Sequence, residues 1–324
     1  APYRYRMVRG IDFYQWAGKE LAARPNVARI QTSIRHIDAA TGTVYTDAGD
    51  FSAEYVFNSA FTKIPVLPSP TLLYPAPPLS TEPASSVHRP LSTVHLLQHF
   101  KGWRIETPAP AFDPTTVTFM DFRIEQKGET RFVYVLPFSE TEALVEFTVF
   151  SPALLPGTEY DVELKNYLGK YLKIKHYDVH ETEFGVIPMT DYPFPASAEG
   201  RQIHIGTAGG FVKASSGYAF KRTQRKIRTF VDAWERTGIP DPAVLRSPWL
   251  FRAFDSIFLR VLANRNELGS AIFTSLFQKL PPALVLRFLD EDSSTADNIL
   301  LISAPPAGPF LKAFWQQRNV LRHL

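Results

Sequence analysis

The chain has 324 residues, a length that points to two domains rather than one. Its 45% hydrophobic and 21% charged content excludes wholesale disorder and a repeat-only fibre. A formal net charge of +3 is too small to point to nucleic acid, and the absence of cysteine excludes disulfides, thiolate zinc sites and a cysteine nucleophile while fitting a reducing compartment.

Residues 1–9 carry no apolar run of the kind a secretory signal needs. Ile11, Tyr14, Leu21 and Ala22 recur at helical spacing and predict a helix over 12–23. A small β-meander follows over 26–59. Its first strand covers 27–34, Thr41-Gly42 is a turn, 43–46 a second strand and 47–50 a second turn, and the apolar strand 54–59 stops at Asn58-Ser59. Residues 65–90 are proline-dense and aperiodic, which makes them a connector.

From 93 to 187 strands dominate. The segments 116–124, 130–136 and 142–150 are rich in Val, Phe, Thr and Tyr, with turns at Lys127-Gly128 and 138–141, and they predict a mostly antiparallel sheet. A helix over 158–174 interrupts it. A short strand at 202–206 leads through Thr207-Ala208-Gly209-Gly210 and Ser215-Ser216-Gly217-Tyr218 into a long helix ending near Gly238. The cluster Lys221, Arg222, Arg225, Lys226 and Arg228 reads as that helix's solvated face, the alternative being contact with an anionic membrane surface. From 248 onward the pattern is helical and apolar, with a second block at 272–289. The uncharged stretch 64–81 is broken by proline and 299–311 is too short to span a bilayer, so any membrane contact is expected to be peripheral or monotopic.

Several segments in this order and spacing resemble the lycopene cyclases, flavoproteins that close rings on linear carotenoids. They include Tyr5 to Gly10 with Phe13-Tyr14, Phe57-Asn58-Ser59, His99 to Trp103 with Phe119 to Arg123, and Leu136 to Ser139 with Leu144 to Thr148. Further on stand Glu183 to Met189, and Gly206 to Gly210 with Ser215 to Tyr218. The resemblance implies an α/β FAD/NAD(P)-binding flavoprotein fold with an antiparallel substrate-binding sheet and a helical C-terminal region. It divides the chain into 1–64 (the remainder of an FAD-binding domain), 65–90 (connector), 91–190 (substrate-binding sheet), 191–240 (return to the FAD-binding domain) and 241–324 (apolar helices). Such flavoproteins open with a G-x-G-x-x-G turn that holds the dinucleotide pyrophosphate, and this sequence has none. The chain therefore reads as N-terminally truncated, and by itself is expected to bind FAD poorly. Plant-type cyclases carry a more acidic Phe-Leu-Glu-Glu-Thr run where this chain keeps Glu146 alone, with Ala143 and Phe147 nearby.

The implied reaction is lycopene β-cyclisation, an intramolecular and non-redox ring closure with FAD held reduced and NADPH as the electron source. It needs a proton delivered to a terminal double bond, a cation held in a dry pocket and a proton removed afterwards. The acid must stay protonated near neutral pH, so the residue to seek is a carboxyl on a strand among apolar neighbours. Glu146 fits, and alternation sets it on the face opposite Val145 and Phe147; the alternative is an ordinary outward-facing carboxylate. Glu183 is a second candidate, to orient the acid or take the final proton. Asp121 is a third, with a salt bridge to Arg123 as the alternative. Trp103, Phe119, Phe122, Phe132, Tyr134, Phe138 and Phe147 supply ring faces for a cation, although most such rings fill cores.

For the cofactor the resemblance implies Asn58, Gly206, Thr207, Gly209, Gly210, Ser215, Ser216, Gly217 and Tyr218, with Ser216 expected to cap the long helix whose N-terminus favours an anionic reduced flavin. The partners expected are lycopene and a membrane surface in the cytoplasm, and no nucleic acid. Two rival readings remain open at this point. One is a flavin-dependent monooxygenase or reductase on the same architecture, the other a non-enzymatic carotenoid- or lipid-binding protein.

Overall fold

The computed structural model describes residues 7–60, 94–194 and 200–321. Helix α1 (Gly10–Ala22) has no buried residue. Strands β1 (Ile34–Asp38), β2 (Thr43–Thr46) and β3 (Gly49–Ser52) form an antiparallel meander whose third strand starts inside the turn expected over 47–50, while the strand expected over 54–59 is not part of it. Residues 27–33, expected as strand, have no ladder partner, and their apolar members Val27 and Ile30 are exposed. Alternation there marks no buried face, which is the condition that makes a period of two meaningful. The expected connector lies outside the described residues.

After β4 (Val56–Asn58) come β5 (His95–Glu106), β6 (Thr118–Asp121), β7 (Thr130–Pro137), β8 (Glu142–Ser151), helix α2 (Gly157–Lys170) and β9 (Asp178–Thr190). The five strands pair in the order β6-β7-β8-β5-β9, antiparallel throughout. Strand β6 covers only part of the expected 116–124. Helix α2 stops at Lys170 rather than 174, and Lys173 takes a positive φ of 60° just beyond. The apolar Leu172 and Ile174 reach the core from the loop instead.

Alternation splits the sheet into two unlike faces. One carries Trp103, Ile105, Val133, Val135, Val145 and Phe147, packed on Tyr160, Leu164, Tyr167 and Leu168 of α2. The other carries Leu96, Phe132, Phe150 and Met189 at one end, covered by the C-terminal helices. Trp103 and Phe147 therefore fill the α2 layer, and Phe138 is exposed; Phe119, Phe122, Phe132 and Tyr134 stand on the other side.

Strand β10 (Gln202–His204) pairs with β4 in parallel. Helix α3 (Phe220–Thr237) lies against them through Phe57, Phe230 and Trp234, and Gly238 closes it in the left-handed conformation with φ of 70°. The basic cluster at its start departs from a solvated face. Arg222 and Lys226 are buried: Arg222 meets Glu291 at 3.1 Å, and Lys226 donates to the Leu245 carbonyl. Lys213, fully buried, pairs with Asp255 at 2.7 Å. Arg222 fastens α3 to the C-terminal region through Glu291, and Lys213 fastens the turn before α3 to it through Asp255.

That region contains α4 (Trp249–Asn264), α5 (Gly269–Lys279), α6 (Pro282–Leu289), α7 (Thr295–Ser303) and α8 (Ala307–Leu321). The block expected over 272–289 is two helices, since Pro281-Pro282 supply no backbone donors and start a new helix at N1. Among the described residues, no helix is long and apolar enough to cross a membrane.

Candidate functional site

Gly102, in the middle of β5, is the register partner of both Glu146 on β8 and Glu183 on β9. All three share the face away from α2. Two expected residues from distant parts of the chain thus converge, because β5 sits between β8 and β9. Glu146 is half-buried and Glu183 exposed.

Desolvation is the main influence on Glu146, and the adjoining Glu183 adds charge repulsion and a hydrogen bond, together pushing its pKa from 4.5 up to about 8. The protonated Glu146 donates in that bond. Thr148 Oγ, two residues along on the same face, donates to Glu146 Oε1 at 2.9 Å and opposes the rise. A carboxyl in this position is a neutral acid at neutral pH, able to give a proton.

Across the sheet from Glu146 stands Tyr134 of β7. Its hydroxyl lies 3.4 Å from that of Tyr218, and both residues line a cavity of about 400 Å³. Phe254, Phe258, Phe273 and Phe277 from α4 and α5 wall it, with Ile302 of α7 and Leu311 of α8 on its far side. The lining is almost wholly apolar and aromatic. Glu146 itself does not line this cavity; its cross-strand neighbour Tyr134 does.

Asp121 is not brought to this pair. It sits at the end of β6, accepts from Arg123 Nε at 2.9 Å and from the Tyr167 hydroxyl of α2 at 2.7 Å, and belongs to the opposite face. Burial favours its protonation, but the bonds from Arg123 and Tyr167 outweigh it and hold its pKa below the ordinary value.

Of the expected cofactor residues, Asn58 and Gly206 to Gly210 stand at the joined ends of β4 and β10, whereas Ser215 to Tyr218 lie against β5 and the cavity. Ile205 donates its N–H to the Asn58 carbonyl at 2.9 Å, Gly206 lies against Ser59 with φ of 59°, and the turn 206–211 closes on itself through Gly209, Gly210 and Phe211 N–H groups. At Gly217 a β-carbon would collide with the Gln98 carboxamide of β5, so this glycine lets the 213–218 turn touch the sheet. Ser216 does not cap α3. The helix begins at Phe220 with Ala219 as its cap residue and no side-chain cap bond, because the turn runs three residues further than expected. Instead the hydroxyls of Ser215 and Ser216 are buried against the cavity with no partner among the described residues, and Gln98 Oε1, beside Gly217, likewise has none. Unsatisfied buried polar atoms are costly, so this rim fits a ligand that brings hydrogen-bonding groups to it.

Gly102 and Thr148 lie in segments that carry the resemblance, yet composition and alternation assign neither a role. The signal for Gly102 was a glycine within an aromatic strand sequence, which marks close approach by something else.

A family profile described as lycopene cyclase protein matches residues 3–314. A lycopene beta-cyclase of Paracoccus sp. is 27% identical over 227 residues, which are 65% of this chain and 57% of the relative. This match spans a little over half the length of that relative. Among solved structures, a flavin-dependent halogenase of Brevundimonas sp. is similar with 17% identity and TM-score 0.43, over 96% of this chain and 63% of that one. The p-nitrophenol 4-monooxygenase of Pseudomonas putida is similar with 13% identity and TM-score 0.41, over 97% and 71%. The match to the family profile over nearly its whole length makes this chain a member of the lycopene cyclase family.

Proposed function

We propose that this chain forms the substrate-binding and acid-bearing part of a lycopene β-cyclase. The observation that carries the reading is Glu146, held protonated by burial and by Glu183 one residue pair from the end of an aromatic chamber. A linear C40 polyene end lying in that chamber would present its terminal double bond toward Tyr134 and Glu146. Glu146 gives its proton to that bond, the ring closes on the resulting cation, and loss of a neighbouring proton completes an isomerisation in which no atom is gained. Glu183, beside Glu146, can orient the acid or accept the proton lost after ring closure. The ring faces of Tyr134 and the α4–α5 phenylalanines favour a cation without offering an oxygen for it to attack.

Asn58, Gly206, Thr207, Gly209, Gly210 and Ser215 to Tyr218 would hold the flavin edge of FAD, with the Ser215 and Ser216 hydroxyls as its hydrogen-bond partners. When bound there, reduced FAD, with NADPH as electron donor, would supply negative charge that favours a cation. The pyrophosphate-holding turn is not in this sequence, and the chain alone is expected to lose FAD on dialysis. Peripheral attachment to a membrane fits the exposed Ile299, Leu300, Leu311, Phe314 and Trp315 on α7 and α8, beside the cavity wall.

The test uses the full-length, FAD-loaded protein and lycopene. Glu146→Gln keeps the shape but not the acidic proton, and ring formation is expected to fall about 10²- to 10⁴-fold with flavin binding unchanged. Wild-type product formation by this variant would overturn the reading. So would an oxygenated product with NADPH consumed in step.

A further inference from the structure

We infer that Gly102 is a positioning residue for the reaction, its missing side chain leaving the gap through which the Glu183 carboxyl reaches Glu146. The inference rests on Glu146 being the acid. Strands β8 and β9 are not neighbours; β5 runs between them, so paired residues on the two are separated by two strand spacings, roughly 9.5 Å. Any side chain at the middle position would stand between two side chains on the same face. At Gly102 there is none, and a β-carbon built there would lie 2.7 Å from Glu183 Oε1, 2.8 Å from its Cγ and 3.1 Å from Leu144 Cδ1. The space that an alanine would fill is the space the Glu183 side chain occupies.

A glycine inside a central strand weakens it, since it costs backbone entropy and packs nothing. Here the vacated volume is used by a carboxyl brought to a second carboxyl. A second glycine supports the arrangement from the β9 side: the Phe100 ring, two residues before Gly102, lies directly over Gly185, where a β-carbon would collide with it. Phe100 thereby flanks Glu183 on the same face.

The other titratable groups near the pair are accounted for. Tyr134 of β7 faces Glu146, with Tyr218 against it. Further along the face, Arg104 of β5 is tied to Glu142 of β8 and at 2.7 Å to Glu181 of β9. Lys101 points to the other face, paired with Asp161 of α2. No cation among these replaces Glu183 as the nearest charged partner of Glu146, so moving Glu183 is expected to act on Glu146 directly.

The experiment follows the protonated-carboxyl carbonyl band of Glu146 by infrared titration of ¹³C-glutamate-labelled, FAD-loaded full-length protein, identified by its loss in Glu146→Gln. Gly102→Ala is expected to lower the titration midpoint by about one pH unit, because displacing Glu183 removes its repulsion and hydrogen bond while desolvation remains. Glu183→Gln is expected to lower it similarly, and Gly102→Ala added to Glu183→Gln to lower it no further. Should Gly102→Ala fold poorly, Glu183→Asp withdraws the carboxyl by one methylene without touching Gly102, and a lowered midpoint is again expected. An unchanged midpoint in Gly102→Ala or Glu183→Asp, or an equal shift from Gly102→Ala in the Glu183→Gln background, would overturn the inference. These outcomes are separate from failure of the acid assignment, which an active Glu146→Gln enzyme would show with the titration unaltered.

Discussion

Asp121 and Glu146 are carboxyl groups of one sheet, both withdrawn from water and driven in opposite directions. On the α2 side, Asp121 meets a guanidinium and a tyrosine hydroxyl, and ion pairing overcomes burial. On the other side Glu146 meets a second carboxyl, and burial is reinforced. The same contrast runs through their surroundings. The α2 layer is closed and satisfied: His99 bonds to Ser151 and to Tyr160, each at 2.7 Å, and burial above all lowers its pKa to about 4, which keeps it neutral. The opposite layer leaves Ser215 and Ser216 with unpaired hydroxyls at the wall of a cavity, and Gln98 Oε1 unpaired beside Gly217. Both faces carry a buried core, but only the second also holds the carboxyl pair and the cavity.

The largest effect expected from breaking this contrast is on turnover. Glu146→Gln should lose about 10²- to 10⁴-fold in ring formation, whereas Asp121→Asn, whose partner Arg123 is mostly exposed, should retain turnover per folded molecule. A dead Asp121→Asn enzyme with intact folding and an active Glu146→Gln enzyme would reverse the assignment. Next comes Phe147→Ala, one residue from the acid but fully buried in the α2 layer. It is expected to cost about 3–5 kcal/mol of stability in denaturant titration, with the Glu146 midpoint unmoved. A shift of that midpoint as large as the one from Glu183→Gln would show that the two faces are not independent.

The two carboxyls also predict opposite pH slopes of stability. Glu146 has its folded pKa raised from 4.5 to about 8, so its contribution is full below about 4.5 and is lost as pH rises toward 8. Asp121 has its folded pKa lowered, so its contribution is present above the ordinary 3.8 and is lost as pH falls through the lower folded value. Urea unfolding across both windows should show the first slope vanish in Glu146→Gln and the second in Asp121→Asn. The smallest effect belongs to Thr148→Val. Losing one donor to ionised Glu146, worth about 1 kcal/mol, should raise the midpoint by roughly 0.7 unit; a fall would mean that Thr148 favours the neutral acid instead.

Much of the sheet was legible because its strands alternate against two buried layers, and that alternation alone put Glu146 opposite Phe147. Pairing order was not legible. Nothing local in the sequence says that β5 lies between β8 and β9, so the meeting of Glu146 and Glu183 at Gly102 had to come from topology. The same limit applied to the basic start of α3. Lys221 to Arg228 reads as a wet face until Asp290 and Glu291, tens of residues on, are folded against it. The start of α3 was misplaced for a local reason: Ser215-Ser216 looks like a cap, but the turn through Gly217 carries the chain to Phe220 before the helix begins.

The most direct measurement is the pH profile of kcat/KM for lycopene cyclisation by the full-length, FAD-loaded enzyme, which reports the essential groups of the free enzyme. With Glu146 acting as the protonated acid, the rate should hold through neutral pH and fall with a midpoint near 8, and Glu183→Gln should bring that midpoint down. A profile already falling near the ordinary carboxyl value of 4.5, or a midpoint near 8 that persists in Glu146→Gln, would contradict it.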